Sequence, residues 1–396
     1  MLSTNFPPWP SFTEEEALAV QQVLLSNRVN YWTGQEGRSF EREFAQWVGV
    51  EHAVAVANGT VALDLALKGL GVGPGDEVVV TPRTFLASVS SVVNAGAVPV
   101  FADIDPDSQN LTAETIQRVL SPRTKAIICV HLAGWPCEMD PIMALAQKAG
   151  LWVIEDCAQA HGAKYKGQSV GSIGHVGAWS FCQDKIMSTG GEGGMVTTSD
   201  TALWKRMWAY KDHGKSWDAV YEREHPPGFR WLHESFGTNW RMTEMQAAIG
   251  RIQLKRMAGW NEKRLAYAQK IWAVAKGLPG LRVPSVPAHV HHAAYKCYVF
   301  LQPEKLAPGW SRDRVLQELI AQGVPAYSGS CSEVYLEKAF DNTTFRPQER
   351  LPVAKVLGET SLMFLVHPTL RLEHIQQTCD ALALALVMAR ATGRRG

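Results

Sequence analysis

Two charged side chains stand shortly after apolar runs of the sequence. Asp156 follows LWVI at 151–154, and Lys185 follows AWSF at 178–181, just ahead of the glycine-rich segment STGGEGG at 188–194. Ligands of open parallel sheets lie beyond the carboxyl ends of the strands, so both residues are placed to reach one. Alone, Lys185 could be a surface lysine and Asp156 the N-cap of a helix. Together they predict a shared site.

A lysine and a carboxylate at successive strand ends are the groups that pyridoxal 5'-phosphate (PLP) requires. The lysine amine holds the cofactor aldehyde as an imine. The carboxylate keeps the pyridine nitrogen protonated, so that the ring can withdraw electrons. The pair therefore predicts PLP chemistry, with Lys185 as the catalytic residue.

A third segment has the features of a phosphate site. Asn58, Gly59 and Thr60 open the helical pattern VALDLALKGLG directly after the strand-like AVAVA. Free amides at a helix N-terminus, together with a hydroxyl, suit a bound phosphate. The alternative is that Thr60 is a plain helix N-cap.

The elements that must position these residues alternate along the chain. Short apolar runs at 78–80, 98–101, 126–130, 151–154 and 178–181 are separated by helix-compatible stretches such as TAETIQRVL. Continuous apolar runs predict strands that are covered on both faces, hence an α/β fold with a mostly parallel central sheet flanked by helices. A long helix from about residue 243 to 276 predicts a bridge between two domains: a large α/β domain at 1–255, and at 256–396 the bridging helix with a smaller C-terminal α+β domain.

Composition excludes several classes of function. With 39 basic and 38 acidic residues the net charge is +1, which predicts no nucleic-acid or anionic-lipid partner. The seven cysteines contain no C-x-x-C pair, and His291-His292 has no partner at ligand spacing, so no metal is expected. The start of the chain, MLSTNFPPWPSFTEEE, has no apolar run behind a basic segment, and no run is long enough to span a membrane. A cytoplasmic protein is expected.

With these residues in view, the chain resembles the DegT/DnrJ/StrS family of PLP-dependent sugar aminotransferases. The matching stretches occur in family order, and they are NGTVALDLAL (58–67), GDEVVVTPRTFLAS (75–88), HLAGWPCEMD (131–140), VIEDCAQAHGAKYKGQSVGSIGHVGAWSF (153–181), DKIMSTGGEGGMVTT (184–198) and GTNWRMTEMQAAIGRIQL (237–254). The resemblance implies a fold-type I PLP-dependent transferase, similar to aspartate aminotransferase.

The resemblance also implies a role for each matching position. Lys185 would form the Schiff base and Asp156 would pair with the pyridinium nitrogen. Gln159 would lie near the phenolic oxygen of the cofactor, and Phe85 would stack on its ring. The phosphate would be held by Gly59, Thr60 and Ser180, and by Asn239 of the neighbouring subunit. A homodimer with shared active sites is thereby implied.

By the same resemblance, the expected reaction moves an amino group from L-glutamate to a nucleotide-linked keto sugar in deoxyamino sugar or polysaccharide biosynthesis. A 4-keto-6-deoxyhexose carried by dTDP, UDP or GDP is the expected acceptor. Three alternatives stand beside it: a cyclitol or amino-aromatic aminotransferase, a dehydratase of the same family, and a non-catalytic regulatory homologue. Lys185 argues against the dehydratase, which carries histidine there. The intact set of cofactor residues argues against the regulator.

Overall fold

The computed structural model describes residues 5–228 and 230–391. The start of the chain, for which the sequence predicts no secretory signal, therefore lies partly outside the described residues. The strands in chain order are β1 (His52–Val56), β2 (Glu77–Val80), β3 (Val98–Phe101), β4 (Thr124–Val130), β5 (Trp152–Asp156), β6 (Lys164–Tyr165), β7 (Gln168–Ser169), β8 (Val176–Ser180), β9 (Gly194–Thr198), β10 (Leu281–Arg282), β11 (Val290–His291), β12 (Cys297–Leu301), β13 (Ala326–Tyr327) and β14 (Ser361–Phe364). The helices are α1 (Glu14–Leu25), α2 (Glu36–Val48), α3 (Gly59–Gly69), α4 (Ala87–Asn94), α5 (Ala113–Gln117), α6 (Met139–Ala149), α7 (Thr201–Tyr210), α8 (Trp217–Tyr221), α9 (Glu244–Lys276), α10 (Arg312–Ala321), α11 (Pro352–Thr360) and α12 (Leu372–Ala391).

The apolar runs form a seven-stranded sheet in the order β1-β9-β8-β5-β4-β2-β3. Strand β9 is antiparallel to both of its neighbours, and the remaining pairs are parallel. Strands β2, β8 and β9 are buried along their whole length, because helices cover both faces of the sheet. The prediction of a mostly parallel central sheet flanked by helices is confirmed.

Side chains of the sheet alternate between two apolar cores. On β8, Ala178 joins the core that contains α3 and most of the central strands, whereas Trp179 joins the core formed with α2. In that second core, Phe44 meets Trp179 edge to face at 5.2 Å between ring centroids. Alternation of this kind follows from the two-residue period of a strand. The alternation therefore determines which face of the sheet the side chain at each strand end points to.

Helix α9 connects the central sheet to the C-terminal part of the chain. It begins at a capping box formed by Thr243 and Gln246 and continues unbroken for 33 residues. Its first half packs through Ala247 and Met257 in the core with α2, and its second half packs through Ile271 in a separate C-terminal core. The domain boundary predicted between residues 255 and 256 falls inside this helix and stays a prediction.

The C-terminal part is built on a four-stranded sheet in the order β10-β12-β14-β13, in which every pair is antiparallel. Helices α10 and α12 pack against one another and share a core with this sheet. The predicted α+β character of this part is thus observed. Across residues 5–228 and 230–391, no helix combines the length and the apolar character that crossing a membrane requires.

Candidate active site

The carboxyl edge of the central sheet brings the predicted site residues together. Asp156 is the last residue of β5 and Ser180 the last residue of the adjacent β8. Gly59 and Thr60 begin α3, which follows β1, and Lys185 lies in the loop after β8. This edge is where the sheet topology predicts a ligand.

Asp156 is a buried carboxylate held by two donors. The hydroxyl of Ser88 donates to its Oδ2 at 2.8 Å, and the amide of Ala158 donates to its Oδ1 at 3.1 Å. Burial raises the pKa of Asp156, and the hydrogen bonds from Ser88 and Ala158 and the charge of Lys185 only partly oppose this. A cation placed against the carboxylate would favour its ionised form. Sequence patterns did not point to Ser88, which reaches the site from α4.

Lys185 is held by its backbone while its amine faces polar neighbours. Its amide donates to the carbonyl of Cys182 at 3.1 Å, and its carbonyl accepts from Nε1 of Trp9 at 2.7 Å. The Nζ lies 4.0 Å from Oδ1 of Asp184 and 5.6 Å from the ring centroid of Tyr295. The hydroxyl of Tyr295 donates to Asp184. These hydrogen bonds hold the main chain of Lys185 in place, and the position of the amine is set by the flexible four-carbon side chain.

The start of α3 lies directly against Ser180. Asn58 is the N-cap, because its side chain accepts from the amide of Val61 at 3.0 Å, so the alternative of Thr60 as the N-cap is wrong. Thr60 instead lies in the first turn, with its hydroxyl free of that capping role. A side chain at Gly59 would place its Cβ 2.5 Å from Cβ of Ser180. Glycine is needed here because the start of α3 packs directly against Ser180 at the end of β8.

Replacing Gly59 with alanine is expected to weaken PLP binding by about 10-fold or more, because the added methyl group forces the start of α3 away from Ser180. Titration of the apoprotein with PLP, followed by absorbance, measures the effect. Gly73→Ala is the matched control, since its nearest neighbour would be 3.8 Å away. Equal affinity in the two variants would contradict the phosphate role of Gly59.

Three further predicted residues lie at or near this edge. Gln159 is almost fully buried, and its Oε1 accepts from the amide of Ala133 at 2.9 Å. Phe85 follows β2 and is 70% exposed, which leaves its ring available to a ligand. Asn239 is exposed and follows the fully exposed Phe236 by three positions in the sequence. The roles given to these three residues stay predictions.

Next to Asp156, a second buried carboxylate serves the structure. Glu155 points to the opposite face of β5, where His131 pairs with it at 2.9 Å between Nε2 and Oε2. Backbone amides of Gly171, Ile173 and Gly174 also donate to Glu155. Cys157 lies close enough to complete a three-residue group that could hold a metal ion. The oxygens of Glu155 are, however, already used by these donors.

Replacing Glu155 with glutamine is expected to destabilise the protein by about 3 kcal/mol, because buried donors lose their anionic partner. Burial alone would raise the pKa of Glu155, but the hydrogen bonds from His131, Gly171 and Gly174 outweigh it and leave the pKa below its usual value. A lowered pKa stabilises the fold above the unfolded pKa, and this contribution is lost as pH falls through the folded pKa. The difference in unfolding free energy should therefore shrink on acidification, measured by urea denaturation at several pH values. Exposed Glu262→Gln is the control, and a pH-independent difference would contradict the account.

Comparison with known proteins identifies the class to which this edge-of-sheet site belongs. The X-ray structure of the aminotransferase from Psychrobacter cryohalolentis is 64% identical, with a TM-score of 0.95 over 97% of this chain and 99% of that chain. The chain is an aminotransferase with the fold-type I architecture of PLP-dependent enzymes.

The chain belongs to the DegT/DnrJ/EryC1/StrS aminotransferase family, which it matches over residues 10–383. The UDP-N-acetyl-3-dehydro-alpha-D-glucosamine 3-aminotransferase of Acidithiobacillus ferrooxidans is 39% identical over 97% of this chain and 96% of its own length. The dTDP-3-amino-3,4,6-trideoxy-alpha-D-glucose transaminase of Streptomyces venezuelae is 35% identical over 93% and 91%. The predicted family, fold class and enzyme class are confirmed.

Proposed function

We propose that this chain binds PLP at the carboxyl edge of its central sheet and transfers an amino group from L-glutamate to a nucleotide-linked keto sugar. The observation that carries the proposal is the joint position of Lys185 and the buried Asp156, whose charges interact at the edge where the start of α3 packs closely against Ser180. The family to which the chain belongs supports the reaction class.

The residues present fit the cofactor. The N-terminus of α3 packs closely against Ser180, so the hydroxyl groups of Thr60 and Ser180 and the helix N-terminus could together bind a phosphate. Asp156 offers a buried carboxylate to the ring nitrogen, and Ser88 and Ala158 hold it in place. When bound, PLP supplies an aldehyde that accepts the amino group and a ring that withdraws electrons.

Lys185 moves the proton in this proposal. Its Nζ, when uncharged, takes a proton from the carbon of the amino donor, and it returns the proton on the other side of the transfer as a general acid. Asp184 lies beside it, and burial raises the pKa of Asp184, whereas Lys185 and Tyr295 outweigh burial and hold that pKa below its usual value. The Oδ1 of Asp184 lies 4.0 Å from the Nζ of Lys185, so this carboxylate is the nearest anion to the amine among the described residues.

A second copy of the chain completes the site in this proposal. Asn239 is exposed, so its side chain is available to a neighbouring molecule. Large apolar side chains are exposed in the same part of the chain, and they are Tyr221, Trp231 and Phe236. Exposed aromatic side chains near a functional polar residue are typical of a surface that a partner covers. They support the predicted homodimer, in which Asn239 reaches the cofactor phosphate of the partner.

The names of the relatives indicate which carbon of their sugar substrate receives the amino group. The names of the relatives from Acidithiobacillus ferrooxidans and Streptomyces venezuelae place the amino group at C3 of a UDP-linked and a dTDP-linked sugar, respectively. The acceptor predicted from the sequence is instead a 4-keto-6-deoxyhexose. Nucleotide-linked 3-keto and 4-keto hexoses are thus the two acceptor classes to compare.

The testing experiment follows the visible absorbance of the PLP-loaded protein. Adding L-glutamate should bleach the visible band of the bound cofactor and release 2-oxoglutarate. The protein loaded with pyridoxamine 5'-phosphate is then offered 3-keto and 4-keto hexoses linked to UDP, dTDP and GDP, with keto cyclitols as the comparison. A visible band that no amino donor changes would reject the proposed function. Amination of cyclitols alone would reject the sugar acceptor while keeping the reaction class.

A further inference from the structure

A cavity of about 700 Å³ opens beside the loop that carries Lys185. Its wall includes residues from distant parts of the chain, namely Trp9, Asp184, Arg264, Tyr295, Lys296 and His367. We call this cavity the basic chamber. Gly59 and Ser180, to which the cofactor phosphate is assigned above, are not part of its wall.

The ring of Tyr295 joins the basic chamber to the amine of Lys185. The Nζ of Lys185 is 5.6 Å from the centroid of this ring, and the Nζ of Lys296 is 4.8 Å from it. The two ammonium groups are therefore no more than about 10 Å apart, the limit that these two distances allow. The chamber therefore lies within reach of a substrate whose proton Lys185 moves in the proposed function.

Arg264 places a buried positive charge in the wall of the chamber. Its side chain is 1% exposed, and its Nη1 donates to the carbonyl of Tyr295 at 3.3 Å. Within the part of the chain that the structure describes, its Nε and Nη2 have no hydrogen-bond partner. The ring of Trp9 lies over the guanidinium, 4.9 Å from Cζ to the centroid. A buried cation without a carboxylate partner is costly unless an anion approaches it.

The other groups around the chamber leave this positive charge uncompensated. Asp184 is the one carboxylate among the described residues of the wall. Burial, followed by the charges of Arg264 and Lys296, lowers the pKa of His367 to about 3, so this side chain is neutral. Burial lowers the pKa of Lys296 to about 8. The charge of Asp184 opposes this shift, whereas the charges of Arg264 and Lys185 add to it. Burial is the main cause of both shifts, and the neighbouring cations add to it.

We propose that the basic chamber binds an anionic group of a substrate, with Lys296 as the contacting cation and Arg264 as the charge behind it. The proposal rests on the proposed function, because the two available sources are its two substrates. The anion is either a carboxylate of the amino donor or the diphosphate of the sugar nucleotide. Both have the charged oxygens that an ammonium group binds through charge-assisted hydrogen bonds.

Lys296→Gln tests the proposal in two separate measurements. The first is the apparent Kd for L-glutamate, from the absorbance change of the PLP-loaded protein. The second is the Kd for UDP, dTDP and GDP on the protein loaded with pyridoxamine 5'-phosphate, from calorimetry. We expect about a 10-fold or greater loss of affinity in one of them. Loss in the first assigns the chamber to the donor carboxylate, and loss in the second assigns it to the diphosphate.

Matched variants separate charge from structure. Lys270→Gln removes an exposed lysine of α9 and should leave both affinities within about 2-fold, since isolated surface charges contribute little. Lys296→Arg keeps the charge and should retain most of the affected affinity. Unchanged affinities in Lys296→Gln would overturn the proposal, as would an equal loss in Lys296→Arg. If no amino donor changes the cofactor band of the wild-type protein, the proposed function is rejected. The proposal for the basic chamber can still be tested in that case, because the nucleotide Kd is measured separately.

Discussion

Lys185→Ala is expected to lower the rate of amino transfer by at least about 10⁴-fold, because it removes both the covalent attachment of the cofactor and the group that moves the proton. The visible absorption spectrum of the PLP-loaded variant should lack the band that arises when the cofactor is bound covalently to Lys185. The fold should persist, since the main chain of Lys185 keeps its contacts with Cys182 and Trp9.

Steady-state kinetics and the absorbance spectrum measure this effect. Lys148→Ala, at an exposed position of α6, is the control and should retain wild-type rates. Added methylamine should restore part of the activity of Lys185→Ala if the missing function is proton transfer. Full activity in the variant would refute the assignment of Lys185.

Asp156→Asn is expected to lower kcat by on the order of 10²- to 10³-fold, because an amide cannot stabilise a protonated ring nitrogen as a carboxylate does. The side chain keeps its shape, so an acceptor remains for Ser88. Burial raises the pKa of Asp156, which means that the charged form costs stability in the cofactor-free protein. The variant should therefore unfold at the same temperature as the wild type, or higher, when no cofactor is present.

This combination distinguishes a chemical role from a structural one. Kinetics of the loaded protein and thermal unfolding of the apoprotein are measured on the same samples. Ser88→Ala is the companion variant and should lose about 10-fold in kcat, since it removes one hydrogen bond to the carboxylate. A large loss of stability in Asp156→Asn without a matching loss of kcat would assign Asp156 to the fold.

The central sheet and the location of two candidate site residues could be predicted because their signals are local. A strand covered on both faces needs a continuous apolar run, and the carboxyl ends of parallel strands share one edge. The location of Asp156 and Lys185 at that edge could therefore be predicted, whereas their roles stay predictions. The pattern does not say which of the adjacent carboxylates, Glu155 or Asp156, faces the ligand. That choice depends on which face of β5 meets His131 and which meets Ser88.

The basic chamber could not be predicted because its residues have no common sequence pattern. Trp9 reaches the carbonyl of Lys185 across 176 positions, and Tyr295 reaches Asp184 across 111. Such contacts depend on how α9 carries the C-terminal part against the central sheet. A lysine at 296 or an arginine at 264, taken alone in the sequence, is most often a solvated surface charge.

The distance along the chain between the walls of the basic chamber has a consequence for how the enzyme is made. Its wall contains Trp9 near the start of the chain and His367 near the end. Ribosomes add about 5 to 20 residues per second, so Trp9 emerges well before the residues that it will stack against. A nascent chain can form much of the central sheet, but the chamber closes only after His367 has emerged. Chains released early from the ribosome would therefore contain Lys185 and Asp156 and still lack the chamber to which we assign the anionic group of a substrate.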